Sequence, residues 1–202
     1  MWLPKIRELK EAVGSLFSAP YTTKFPADLT EVDLPDGFRG KPKYNPDLCV
    51  GCGTCAQVCP TAAIDIIDDM TKQIRTLRVN YNYCMNCGQC EEKCITESGI
   101  TLSKDFLLVL MDRSDPSAFE SVEKELLICE SCGASIGCRD HLEFIKDRLG
   151  AKAYAHPNLL LWTQAQFAEP GPAKIKSRIR REDQIKMLCP KCRYRVVVTD
   201  EF

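Results

Sequence analysis

The 202-residue chain has no excess of charge of either sign and no long hydrophobic run. Its 27 lysines and arginines are balanced by 28 aspartates and glutamates, which gives a net charge of −1. That balance argues against nucleic acid as the main partner. The best apolar run, from Phe106 to Met111, is much shorter than the roughly 20 residues that a membrane-spanning helix needs. We therefore expect the chain to have no transmembrane span of its own.

The chain also lacks the signs of a secreted protein or of a self-contained enzyme. Its first residues, Met1 to Lys5, show neither an apolar signal-peptide core nor a small-residue cleavage site. No acid–base pair or nucleophile stands out as catalytic. Cysteine, in contrast, is abundant, with 13 residues. Their odd number and their clustering at metal-ligand spacing argue against a disulfide scaffold and favour a reduced, cytoplasmic environment.

Eight of the cysteines form one pattern twice. The first copy, C-x2-C-x2-C-x3-C, ends before Pro60, and the second has Ile95 in the equivalent place. The ligands of the two copies are Cys49, Cys52, Cys55 and Cys59, then Cys84, Cys87, Cys90 and Cys94. This spacing is typical of bacterial-type ferredoxins with two 4Fe-4S clusters, in which the fourth cysteine of each motif ligates the other cluster. A zinc site or free thiols are the alternatives.

The crossed pattern predicts two ligand sets. Cluster one takes Cys49, Cys52, Cys55 and Cys94. Cluster two takes Cys84, Cys87, Cys90 and Cys59. Gly51, Gly53 and Gly88 lie between ligands, where a residue without a Cβ allows positive φ and a close approach of the backbone to the sulfurs.

Two CxxC pairs near the C-terminus predict a second kind of metal site. They are Cys129 with Cys132 and Cys189 with Cys192. Pairs of this kind hold structural zinc in zinc ribbons, although residues 133–188 make an unusually long insertion between them. A rubredoxin-like iron, a third iron–sulfur cluster and unligated cysteines are the alternatives. Cys138 and His141 are further candidate ligands.

The sequence predicts an α+β fold with a two-cluster ferredoxin core, an N-terminal amphipathic helix and arm, and a C-terminal zinc-ribbon-like domain. The predicted segments are 1–48 (helix and extended docking arm), 49–105 (ferredoxin domain), 106–128 (bridging segment and helix) and 129–202 (zinc-ribbon-like domain). In the ferredoxin domain, each cysteine loop leads into a short helix carrying the third and fourth cysteines and then into a strand. Residues 68–83 are predicted to form a hairpin connection.

Helices are predicted at three places from apolar spacing. The first has Trp2, Ile6, Leu9, Val13 and Leu16 on one face and ends at Pro20. The second begins at Asp115 and buries Phe119, Val122, Leu126 and Leu127. The third, His141 to Leu149, buries Leu142, Ile145 and Leu149. The proline-rich residues 18–48 are predicted to be extended loop.

The N-terminal part and both cysteine motifs resemble a known family. Together with the segment from Phe38 to Pro42, they resemble the ferredoxin-like subunit of respiratory complex I over about residues 1–105. The CxxC pairs resemble more closely the equivalent subunit of membrane-bound group 4 nickel–iron hydrogenases, including formate hydrogenlyase. Arg39 and Gly40 match the family's segment ahead of the first motif.

The resemblance implies a non-catalytic electron-transfer subunit of a multi-subunit oxidoreductase. Its partners would be a small cluster-bearing hydrogenase-like subunit, an electron-input subunit and a membrane arm. The chain would then lie on the cytoplasmic face of the membrane through these partners. The eight motif cysteines carry over as cluster ligands, whereas no nickel, quinone or flavin ligand does. A stand-alone soluble ferredoxin and a cluster-containing nucleic-acid-binding or regulatory protein are the alternative functions.

Overall fold

The computed structural model describes residues 6–19, 33–106, 109–167 and 186–199. The chain forms two compact units, Met1–Phe38 and Arg39–Phe202, where the sequence predicted segment boundaries at residues 48, 105 and 128. Among the described residues, no helix is both long enough and apolar enough to cross a membrane. Trp2, Pro20 and residues 168–185 lie outside the described residues.

The first unit contains the predicted amphipathic helix, α1 (Ile6–Phe17). Its apolar side chains recur at helical spacing, as predicted, and no residue of α1 is buried among the described residues. Ile6 is 88% exposed and Leu16 79% exposed. Within the first unit, the apolar side chains of the helix are therefore exposed.

The second unit begins with a small sheet around the cysteine loops. Strand β1 (Pro42–Tyr44) pairs antiparallel with β4 (Ile100–Leu102). The prediction that residues 18–48 contain no regular element was wrong at β1. Pro42 begins this two-stranded edge, where its missing N–H breaks no central ladder bond. Helices α2 (Thr54–Gln57) and α3 (Gln89–Glu92) follow the two cysteine loops.

Each of these helices carries only the third cysteine of its motif. Cys55 lies in α2 and Cys90 in α3. Cys59 and Cys94 lie just beyond the helix ends, which corrects the prediction that the helices carry them. The helices end early because the chain must turn after them to bring each fourth sulfur toward the other motif.

A four-stranded antiparallel sheet has the order β2-β3-β5-β6. The hairpin predicted at residues 68–83 begins earlier, because its first strand is the one predicted after the first motif: it consists of β2 (Ile64–Asp69) and β3 (Ile74–Asn80). Strands β5 (Phe119–Ile128) and β6 (Ser135–Cys138) extend it. Leu77 and Val79 of β3 are almost fully buried and pack with Ile100 and Val122 around the cysteine loops. This sheet thus joins residues of three predicted segments.

The helix predicted from Asp115 was wrong. Asp115 does cap one 3-10 turn, Pro116–Ala118, by accepting a hydrogen bond from the Ser117 N–H at 2.8 Å, but the chain then continues as β5. Val122 and Leu126 lie four residues apart, a spacing that fits one face of a helix and also one face of a strand. In the structure, β5 pairs with β3, and Leu77 lies opposite Val122. This pairing favours a strand over a helix for these residues.

Helices dominate the C-terminal part of this unit. The predicted helix at His141 is α4 (Arg139–Leu149), followed by a 3-10 segment (Gly150–Ala155) and α5 (Pro157–Phe167). Near the end lie α6 (Pro190–Tyr194) and a π-helical turn (Arg195–Thr199). Leu142 is buried, as predicted, but Leu149 is 41% exposed because α4 ends there. The sequence did not predict α5.

Candidate metal centres

The structure gathers the eight motif cysteines around two spaces. The first lies among α2, β3 and the turn after α3. It is lined by four of the predicted ligands, Cys49, Cys52, Cys55 and Cys94. Three of these thiols come from the first motif and one from the second. Tyr44 lies over this space and places its hydroxyl 3.8 Å from the Cys55 sulfur.

The second space is lined by the other four thiols. They are Cys84, Cys87, Cys90 and Cys59. Here again three cysteines share one motif and the fourth comes from the other. A cubane cluster takes four thiolates, so both the number of donors and their enclosure by apolar side chains fit a 4Fe-4S group in each space.

Left-handed backbone conformations shape both cysteine loops. Gly51, Gly53 and Gly88 have φ of 70°, 77° and 83°, which a glycine adopts without a Cβ clash. Asn86 occupies the place in the second loop that Gly51 occupies in the first, and its φ is also positive, at 51°. Asparagine is among the few other residues that tolerate this conformation. The two loops therefore share one geometry despite different residues.

The fourth cysteine of each motif lies in a more polar setting than its neighbours. Burial raises the pKa of the Cys59 thiol, but hydrogen bonds from the Thr61 hydroxyl and from backbone N–H groups outweigh it and lower the pKa. The Ala63 N–H, for example, lies 3.3 Å from the Cys59 sulfur. Thr96 and nearby N–H groups lower the pKa of Cys94 against burial in the same way.

The third cysteine of each motif shows the opposite shift, a raised pKa. Burial is the main reason that the pKa of Cys55 rises to about 12 and that of Cys90 to about 11. A bare thiolate would be poorly stabilised at these positions, since water is excluded. A metal centre supplies the missing positive charge, because a coordinating thiol loses its proton. These two cysteines thus fit the ligand role only together with the metal.

The four C-terminal cysteines converge as a separate group. The sulfurs of Cys129, Cys132, Cys189 and Cys192 all lie within 4.8 Å of one another. Three of these residues are buried and Cys132 is exposed. The two pairs are joined by two hydrogen bonds. The Glu130 N–H donates to the Met187 carbonyl at 3.0 Å, and the Met187 N–H donates to the Glu130 carboxylate at 2.9 Å. Asn158 of α5 holds the second pair by donating to the Leu188 carbonyl at 2.9 Å.

The pKa values of two thiols in this group shift in opposite directions. Burial raises the pKa of Cys129, but N–H groups of Cys189, Cys132 and Ser131 outweigh it and bring the pKa to about 6. Hydrogen bonding with Cys132, followed by burial, raises the pKa of Cys192 to about 12. A bound cation would release these protons, so its affinity would increase with pH.

The two further candidate ligands lie away from that group. Cys138 ends β6, is fully buried, and donates its S–H to the Gly51 carbonyl at 3.3 Å. It therefore packs against the first cysteine loop. His141, in α4, is not among the residues whose ligand atoms converge in the described part of the chain. Burial, followed by the nearby positive charge of Arg75, lowers the pKa of His141.

Several residues that contact the cysteine motifs in the structure were not predicted from the sequence. Thr61 and Thr96 were visible in principle, because each stands two positions after the fourth cysteine of its motif. Arg75 and Lys124 carry no local signal. They reach the first loop from β3 and β5, and only the sheet pairing brings them there.

Comparison with known proteins identifies the cysteine segment. Residues 41–95 match the family model of the 4Fe-4S dicluster domain. The chain is 39% identical over 49 residues to formate hydrogenlyase subunit 6 of Escherichia coli (strain K12), which covers 24% of this chain and 26% of that protein. It is 59% identical over 27 residues to a probable ferredoxin of Methanosarcina thermophila, which covers 13% of this chain and 47% of that protein.

The chain thus spans about a quarter and about half of the lengths of these two relatives. The chain contains a ferredoxin-like iron–sulfur domain, and the resemblance to a formate hydrogenlyase subunit is confirmed in the aligned segment. Among solved structures, one match is the membrane-bound sulfane sulfur reductase, an archaeal respiratory membrane complex. The match has a TM-score of 0.38 and 23% identity, and covers 53% of this chain and 56% of that one.

Proposed function

We propose that the protein relays electrons through two 4Fe-4S clusters as a subunit of a larger, membrane-associated oxidoreductase of the formate hydrogenlyase type. The observation that carries the proposal is the grouping of eight thiols around two spaces. Each space has three cysteines from one motif and the fourth from the other. This arrangement supports the crossed ligand sets, with Cys94 serving cluster one and Cys59 serving cluster two.

The clusters would supply one-electron redox chemistry, and the chain would hold them and control their surroundings. Crossed ligation ties the two halves together, because losing either half removes a ligand from both clusters. Leu77, Val79 and Ile100 exclude water from the region around the cysteine loops, and reduced access of water lowers the dielectric constant around a metal site. The hydroxyl groups of Thr61 and Thr96 stabilise negative charge on the sulfurs of Cys59 and Cys94, respectively. These are the two cysteines that ligate the cluster of the other motif.

The C-terminal group is proposed to hold one structural zinc ion. Four thiolates bound tetrahedrally at about 2.3 Å from zinc lie roughly 3.8 Å apart. The described sulfurs lie within 4.8 Å of one another, which suits one ion, whereas a four-metal cluster separates its thiolates further. A single iron ion fits the same donors. With all four positions taken by protein, the ion would stabilise the fold and leave no place for a substrate.

Partner subunits are proposed to cover the open face of α1 and to connect the chain to a membrane. Ile6, Leu9, Val13 and Leu16 form an exposed apolar stripe, and contiguous apolar patches of this kind mark interaction sites. The proposed partners are an electron-input subunit, a small cluster-bearing subunit and a membrane arm, with the chain on the cytoplasmic face. The homology to formate hydrogenlyase subunit 6 supports this assignment.

Anaerobic isolation of the tagged full-length chain from its native cells tests the proposal. We expect it to co-purify in constant ratio with other redox subunits, identified by mass spectrometry, and to be reduced when the complex receives electrons from its substrate. A monomeric, unaccompanied chain that still carries both clusters would instead identify a soluble ferredoxin. Co-purified nucleic acid whose binding falls steeply with salt would identify the regulatory alternative.

A further inference from the structure

Two partly buried cations, Arg75 and Lys124, are hydrogen-bonded to the main chain at the first cysteine motif and the turn just before it. Arg75 donates from Nη1 to the Gly51 carbonyl at 3.2 Å. Lys124 donates from Nζ to the Pro46 carbonyl at 2.6 Å. Their side chains are only 15% and 12% exposed. Both charges therefore act through protein, where water screens them weakly.

Each cation is held in place by a carboxylate. Asp68 binds Arg75 through two hydrogen bonds of 2.7 and 2.8 Å, and Asp140 binds Lys124 at 2.8 Å. Each cation lies between a carboxylate and a main-chain carbonyl, which belongs to the first motif for Arg75 and to the turn just before it for Lys124. In each ion pair, the positively charged group is therefore closer to the first motif than the carboxylate is. Cys138 packs beside them and also donates to the Gly51 carbonyl, at 3.3 Å.

Among the described residues, a more exposed cation is hydrogen-bonded to the second cysteine motif. The Arg39 guanidinium donates to the Cys87 carbonyl at 3.1 Å, but Arg39 is exposed to solvent. Water and salt screen an exposed charge strongly. Lys41, whose side chain is 14% exposed, lies over the Tyr81 ring and pairs with Asp105, but in the described part of the chain it donates no hydrogen bond to the second motif. The two motifs, alike in backbone conformation, therefore differ in the partly buried positive charge that is hydrogen-bonded to their main chain.

We infer that Arg75 and Lys124 are positioning residues that raise the reduction potential of cluster one above that of cluster two. This inference rests on the proposed function. Reduction adds one negative charge to a cluster, and a cation behind the loop stabilises the reduced form more than the oxidised form. Net charge and hydrogen bonding around the sulfurs are the properties that set cluster potentials. Electrons within the chain then collect on the cluster held by the first motif.

The test uses the full chain, with clusters reconstituted anaerobically, in a redox titration followed by electron paramagnetic resonance. The signal of cluster one is identified as the one that Cys52→Ser removes. Lys124→Met is expected to reduce the equilibrium constant for adding an electron to cluster one about tenfold, which is a fall of about 59 mV in potential for a one-electron couple. The potential of cluster two should stay unchanged, and Lys124→Arg should restore cluster one.

Arg139→Met is the matched control, because it removes one cation from the same region. Arg139 is 51% exposed and pairs with Glu125 at the surface, so neither potential should move. Lys124→Gln serves if the methionine variant loses iron. An unchanged cluster-one potential in a variant with full iron content, or an equal shift of both clusters, overturns the inference. A wild-type chain that binds no clusters would refute the proposed function itself.

Discussion

Replacing Gly51 with alanine should destabilise the protein far more than the loss of a flexible residue would suggest. Gly51 has φ of 70°, and a Cβ placed there would lie 2.6 Å from the Cys138 sulfur and 3.1 Å from the Lys124 Cβ. The left-handed conformation costs about 1–2 kcal/mol for an L-residue. Overpacking against neighbouring atoms typically costs a further 1–3 kcal/mol. We expect a total of about 2–5 kcal/mol.

Gly133→Ala provides the control, because it separates strain from crowding. Gly133 has φ of 69°, and a Cβ there would meet nothing within 4 Å. It should therefore cost only the conformational part, about 1–2 kcal/mol. At about 2–4 °C per kcal/mol for a unit of this size, Gly51→Ala should lower the midpoint of anaerobic thermal unfolding by roughly 4–20 °C. Gly133→Ala should lower it by less, about 2–8 °C.

Removing the Cys138 sulfur tests the source of the crowding. In the double variant Gly51→Ala/Cys138→Ala, the contact at 2.6 Å disappears, while the contacts at 3.1 Å remain. The double variant should therefore be more stable than the sum of the two single effects predicts, by on the order of 1 kcal/mol. Equal losses for Gly51→Ala and Gly133→Ala, or strict additivity with Cys138→Ala, would refute the packing of β6 against the first cysteine loop.

Three further changes probe the metal centres. Cys94→Ser should weaken the cluster held by the first motif more than the one nearer in sequence, and Cys59→Ser should do the reverse; electron paramagnetic resonance of the reduced variants distinguishes them, and damage confined to the nearer cluster would contradict crossed ligation. Cys189→Ser should remove zinc and leave the iron content unchanged in elemental analysis, whereas loss of iron would point to an iron site. Asn158→Ala should cost about 1–3 kcal/mol, because it leaves the buried Leu188 carbonyl unpaired, and should speed zinc loss to a chelator; the exposed Gln166→Ala on the same helix should do neither.

The features that could be predicted from the sequence are those marked by residues at short, regular intervals along the chain. The two cysteine motifs fixed the position of the loops, and the apolar residues after them marked β2, β3 and β4. Strand β5 could not be predicted in this way, because Asp115 gives a local helix-start signal and Val122 and Leu126 fit both periodicities. Its conformation depends on pairing with β3, a contact between residues far apart in the chain.

The surroundings of the metal centres were the least predictable part. Cys138 stands nine positions after Cys129 in the sequence, which suggested a ligand near the C-terminal pairs. The bulge between Leu127 and Ile128 and the short strand β6 instead direct it to Gly51. Lys124 likewise reaches Pro46 only because β5 extends the sheet. Long-range strand pairing decides these positions, and a single sequence contains no direct record of it.

Eight cysteine thiols are expected to hold two cubane clusters. The metal content of the purified protein is the measurement that decides this. The protein, purified without oxygen, should contain about eight irons and eight acid-labile sulfides per chain, plus about one zinc. After reduction with dithionite it should give the resonance of two reduced 4Fe-4S clusters. Four irons or fewer in fully reconstituted protein, or a silent spectrum after reduction, would contradict the account.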